Sequence, residues 1–155
     1  MPANVRAGQV ISLVEITGGI GGKVDAPKLA DELGADIAVL LPILDAAEML
    51  GLVRSEKGDV HLTELGLRFQ KTSKSKMKIL KDRIATIEPF RTAVEFASRG
   101  KPFTAAQVAD ALQEMGLRWH YQPEINESLI RRLLIHWAIY AGLLAYGKSG
   151  KFHKV

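Results

Sequence analysis

One pattern occurs twice in this chain and limits the possible folds more than any other feature. Residues 46–60 read Ala46-Ala-Glu-Met-Leu-Gly-Leu-Val-Arg-Ser-Glu-Lys-Gly-Asp-Val60. Residues 137–152 read Trp137-Ala-Ile-Tyr-Ala-Gly-Leu-Leu-Ala-Tyr-Gly-Lys-Ser-Gly-Lys-Phe152. Each segment is the end of an apolar helix, a glycine (Gly51, Gly142), a short apolar strand, a polar turn containing glycine, and a second strand. Glycine supplies the backbone angles that a helix end requires. The chain therefore closes a helix into a small β-hairpin at two places.

What precedes each hairpin is helical. Apolar residues from Val5 to Thr17 fit a first helix, ended by the run Gly18-Gly-Ile-Gly-Gly22. Asp25 is placed to cap a second helix with Pro27 in its first turn, Leu29 and Leu33 inside, and Gly34 as its stop. Asp36 is placed to cap a third, running to about Leu50, with Val39, Leu40, Ile43, Leu44, Ala47 and Leu50 facing inward. Leu52–Arg54 and Val60–Leu62 flank the turn Ser55–Asp59, and Thr63 caps a helix over 64–70. The polar run Lys71-Thr-Ser-Lys-Ser-Lys76 marks a boundary. Beyond it, Met77, Leu80, Ile84 and Ile87 form one stripe, with Lys74, Lys78 and Lys81 on an adjacent face. A short helix over 90–97 follows Pro89. Thr104 caps a helix with Val108, Leu112 and Met115 inside, ending at Gly116. The last helix, about Glu124 to Ala141, is apolar on almost every side and predicts burial all round.

This order of elements is that of a winged helix-turn-helix. The expected fold is mainly α with small β-hairpin wings (α+β), as tandem degenerate winged-helix units. The first unit spans 1–72; linker helices and the second unit span 73–155.

Composition narrows the functions. The chain has no cysteine, which excludes disulfides, thiolate metal sites and cysteine nucleophiles. No apolar run approaches the ~18 residues of a membrane helix, and no signal peptide is visible at the N-terminus, so a cytoplasmic protein without membrane insertion is expected. The net charge of +4 is unevenly spread. Residues 1–67 hold 5 Lys/Arg against 10 Asp/Glu, whereas 68–155 hold 16 against 7.

Signals for chemistry are weak. The segment Gly18-Gly-Ile-Gly-Gly-Lys-Val24 has Thr17 where a phosphate loop needs its first glycine, and Val24 where it needs Ser or Thr. His61, His120, His136 and His153 lack the spacing of a helical zinc site. No enzyme activity, cofactor or metal is expected.

Three surfaces remain as candidates for binding. The third helix would enter the major groove in a DNA-reading winged helix, yet it carries Asp36, Asp45 and Glu48 and no base. That argues for a protein partner there. The last helix offers Ile130, Leu134, Trp137 and Tyr140, either to hold the halves together or to form a homodimer. The alternative is a winged-helix DNA-binding regulator, with Lys74, Lys78 and Lys81 on phosphates and Arg131 and Arg132 near bases. A small-molecule cleft lined by Trp119, His120 and Tyr121 is a third reading.

Several stretches resemble one known family: Val5–Glu15, Lys28–Gly34, Leu40–Gly51, Leu62–Phe69 and Leu134–Tyr146. Together they look like the AAA-associated C-terminal domain. That domain follows the ATPase of ABC transporters of the nitrate, sulfonate and bicarbonate type, often in archaea. The resemblance implies a non-enzymatic regulatory and protein-interaction module whose partner is an ABC-type ATPase or transporter component. It supplies no catalytic residues, and this chain contains no Walker motif of its own.

Overall fold

A computed structural model describes residues 1–155, which form two compact units, Met1–Leu80 and Lys81–Val155. The expected boundary lay at 72/73; the observed division falls later, within helix α5 (Lys76–Ile84). That placement changes the charge balance. Residues 1–80 hold 10 Lys/Arg and 10 Asp/Glu, which cancel, and 81–155 hold 11 against 7. The basic segment after Gly66 belongs mostly to the first unit, where Lys76 bonds Glu15 at 2.8 Å and lies 5.2 Å from the centre of the Phe69 ring.

The first unit runs α1 (Ala7–Ile20), β1 (Lys23–Asp25), α2 (Ala26–Leu33), α3 (Ile37–Met49), β2 (Val53–Glu56), β3 (Asp59–Leu62) and α4 (Glu64–Lys71). Its antiparallel sheet has the order β1-β3-β2. Helix α1 continues through Gly18 and Gly19, past its expected end, and stops at Gly21, whose φ is 120°. β1 has no counterpart in the sequence reading. It is three residues long and is defined only by pairing with β3, where Val24 opposes Val60. The hairpin is tighter than expected. Glu56 pairs with Asp59, leaving Lys57 (φ 51°) and Gly58 (φ 80°) as a two-residue turn whose positive φ values suit the right-handed twist of the strands.

The caps follow the sequence. Asp25 Oδ1 accepts from the Lys28 amide at 2.9 Å, and Thr63 Oγ1 accepts from the Gly66 amide at 3.0 Å. Asp36 stands at the N-cap of α3 but makes no side-chain capping bond; its backbone carbonyl accepts from Val39 and Leu40 instead. Val10, Leu13, Val14, Leu29, Leu40, Leu44, Ala47 and Phe69 fill the core. Burying each large apolar side chain contributes about 1.5–3 kcal/mol before entropy is counted. Val39, expected inside, is exposed. It lies in the first turn of α3, where no neighbouring element covers it on its own helix's apolar period.

The second unit repeats this order on its own terms. It contains α6 (Phe90–Ser98), α7 (Ala105–Glu114), α8 (Pro123–Leu133), a π-helical continuation Leu134–Ile139, and the hairpin β4 (Leu144–Tyr146) and β5 (Phe152–Lys154). Phe103 takes the place of a first strand: its N–H and C=O exchange two bonds with Phe152 at 2.9 and 2.8 Å. Thr104 and Gln107 form a reciprocal capping box at α7. Val108 and Leu112 are buried, but Met115, at the end of that stripe, is exposed. Met77 departs from its expected stripe in the same way, while Leu80, Ile84 and Ile87 hold it.

The two glycines of the repeated pattern do the same job. Gly51 (φ 75°) and Gly142 (φ 77°) each follow a helix. The amide of Leu52 bonds Ala47 O at 3.0 Å, and that of Leu143 bonds Ala138 O at 2.8 Å. The glycine amides bond Glu48 O and Ile139 O at 2.9 and 3.0 Å. This pairing is a Schellman cap, and it aims the next residue into the hairpin.

Candidate functional site

Helix α3 buries Leu40, Ile43, Leu44, Ala46 and Ala47 against its own unit. Its other side is mixed. Ile37 is 46% exposed, Leu41 51% and Met49 41%, and Asp45 and Glu48 are exposed beside them. Ile37, Leu41, Asp45 and Glu48 follow one another at helical spacings of four, four and three, so they form one stripe. Sequence reading placed the acids on this face. It missed the apolar residues, because an apolar side chain on an amphipathic helix is assigned to the core by default. Asp36 is exposed at the N-cap, one residue before Ile37. An open depression of about 620 Å³ lies between Met1, Pro2, Asp45, Glu48 and Met49. Burial holds the Met1 amine below its ordinary pKa, since a charged amine loses solvation there.

The expected self-association face takes a different place. Ile130, Leu134 and Trp137 are each 0% exposed within the single chain. A second copy cannot reach them; only Tyr140, 50% exposed, faces outward. Trp137 lies 6.4 Å from Phe90, ring centre to ring centre. The apolar helix is therefore the core of its own unit. The same pattern that reads as a dimer seam reads equally as a central helix, and burial decides for the latter. Ile135 and Tyr140 are exposed, so the helix is not buried all round.

The basic residues are scattered. Lys74 precedes α5 and does not lie on it with Lys78 and Lys81, because the helix starts at Lys76. Arg131 is tied to Glu127 at 2.7 Å, one helical turn away, whereas Arg132 is exposed. Asn126, on the same helix, is buried; its Oδ1 accepts from the Trp119 and His120 amides at 2.7 and 3.3 Å. That side chain fastens the aromatic loop. His120 Nδ1 accepts from the Gln122 amide, and the His120 and Tyr121 rings stack at 4.7 Å. Trp119, His120 and Tyr121 line neither of two depressions near the loop. Those are walled by Asp110, Gln113, Glu124 and Glu127, and by Gly116, Leu117 and Arg118. The aromatic cluster is a pinned loop.

No three His, Asp or Glu side chains converge as a metal would need, and no helix is long and apolar enough to cross a membrane. No curated protein and no solved structure matches the chain. A family described as the C-terminal AAA-associated domain matches residues 27–147, from the start of α2 to the end of β4. The match covers both units and most of the chain, and the protein belongs to the C-terminal AAA-associated domain family.

Proposed function

We propose that this chain is a non-enzymatic regulatory module, made of two degenerate winged-helix units, that binds an ATPase through the exposed face of α3. The observation that carries the proposal is the composition of that face. In a winged helix this element lies where a DNA reader presents bases or amides to the major groove. Here it presents Ile37, Leu41 and Met49 with Asp45 and Glu48. Carboxylates repel phosphate, and exposed apolar side chains gain only by meeting another apolar surface. Such a face suits a protein partner with apolar and basic residues. Membership of an AAA-associated family supports an ATPase as that partner, and the resemblance noted above supports an ABC-type ATPase of the nitrate, sulfonate or bicarbonate class.

The module carries no catalytic group and works in the cytoplasm beside its ATPase in this reading. Calorimetric titration of the purified chain into such an ATPase tests it. Saturable binding is expected, weakened at least tenfold by replacing Asp45 and Glu48 with lysine. The alternative, a winged-helix regulator that reads bases through Arg131 and Arg132, draws less support, since Arg131 is paired with Glu127.

A further inference from the structure

The two hairpins share a topology and differ in charge. The first, residues 53–62, carries Arg54 and Lys57 against Glu56 and Asp59, and Asp59 lies 3.7 Å from Lys23. The second, residues 143–155, carries Lys148, Lys151, His153 and Lys154 and no acid. All four are exposed. Residues 148–155 also lie beyond the end of the family match at 147, so these cations are outside the part of the chain that the family describes.

The second hairpin is held on a ladder of rings. Arg99 lies 4.5 Å over Phe96, Phe96 stacks on Phe103 at 5.6 Å, and Phe103 on Phe152 at 5.9 Å. Tyr146 meets Phe152 edge-on at 4.7 Å. Phe103 and Phe152 are fully buried and bonded backbone to backbone. The ladder joins the exposed Arg99 and Lys101 segment to the hairpin, so the cations are mounted on a fixed base. The turn between them, Gly147 to Lys151, has only small or basic residues.

We infer that the second hairpin is a sequence-independent contact for the phosphate backbone of nucleic acid. Strand alternation puts Lys151 and His153 on the face opposite buried Phe152, while Lys154 shares the Phe152 side. Lys148 and Lys151 thus flank the turn together with small residues. The exposed large apolar side chains of the hairpin are Tyr146 and Val155, outside that turn, and lysine is depleted at protein–protein interfaces. Phosphodiesters require only charge and donors, which lysine, serine and backbone amides provide. The hairpin offers no arginine fork to a guanine edge, so base selectivity is not expected. This contact is separate from the α3 face and does not depend on it.

The test is fluorescence anisotropy of the full chain with a mixed-sequence DNA duplex from ~50 to ~200 mM salt, the range over which such contacts weaken steeply. The wild type should bind, and replacing Lys148 and Lys151 together with glutamine should lower the log–log salt slope by about two, one per lysine. Lys57→Glu in the first hairpin should leave the slope unchanged. The same replacements with glutamate should abolish binding without altering the thermal melt, since both side chains are exposed. The inference is overturned by a wild type that does not bind at ~50 mM salt, where phosphate contacts are strongest. It is equally overturned if the glutamine variant keeps its slope, or if binding is lost only on replacing Lys74 and Lys81. Binding to phosphatidylserine vesicles without binding to duplex would assign the hairpin to a membrane surface and overturn it too.

Discussion

Gly66 rests against the carbonyl oxygen of Leu52, with no room for a β-carbon between them. Three neighbouring bonds fix that approach. The Thr63 amide donates to Leu52 O at 3.0 Å, the Thr63 hydroxyl donates to Gly51 O, and the Gly66 amide donates to Thr63 Oγ1. The sequence Leu62-Thr-Glu-Leu-Gly66 is thus a clasp that returns α4 onto the start of the hairpin.

Replacing Gly66 with alanine should destabilise the first unit by about 1–3 kcal/mol, the usual cost of overpacking, because backbone must move. Gly8, in α1 with open space around its α-carbon, is the control. Gly8→Ala should stabilise by about 0.5–1 kcal/mol through helix propensity. Urea denaturation of both variants checks the opposite signs.

Thr63→Ala removes the cap of α4 and the bond to Gly51. A loss of about 1–2 kcal/mol is expected, at the upper end for an N-cap because two bonds go. Thr63→Ser keeps the oxygen and should recover most of it in the same denaturation series.

Asn126→Ala leaves the Trp119 and His120 amides without their acceptor. Destabilisation of about 1–3 kcal/mol is expected for unsatisfied, partly buried donors. Hydrogen exchange should rise locally at residues 117–122 before any global change. Unchanged protection there would show that the loop is held by something else.

The caps and hairpins were legible in the sequence because their signals are local. Gly51, Gly142, Asp25, Thr63 and Thr104 each act within a few residues of themselves. β1 was not legible, since Lys23–Asp25 is a strand only through β3, far along the chain. Nor was the π-helical turn at Leu134–Ile139, which residue type does not mark. Met77, Val39 and Met115 sit on the apolar period yet at helix ends, where periodicity overstates burial. In the α3 face, Asp45 and Glu48 were readable as solvated charges. Ile37, Leu41 and Met49 were not, because the same pattern that fills a core also builds a docking surface.

Trp137→Ala follows from that distinction between core and surface. It should cost about 3–5 kcal/mol, as for other buried aromatics, and should not reveal a lost dimer. Light scattering of the wild type and of Tyr140→Ala should give one and the same mass.

The most direct measurement is calorimetric titration of the chain against a purified ABC-type ATPase of the nitrate, sulfonate or bicarbonate class. The wild type and the variant with Asp45→Lys and Glu48→Lys should be compared at equal thermal stability. Saturable wild-type binding, lost or weakened at least tenfold in the variant, is the predicted result. Equal affinities for both proteins, or no binding by either, would contradict the assignment of α3 as the partner face.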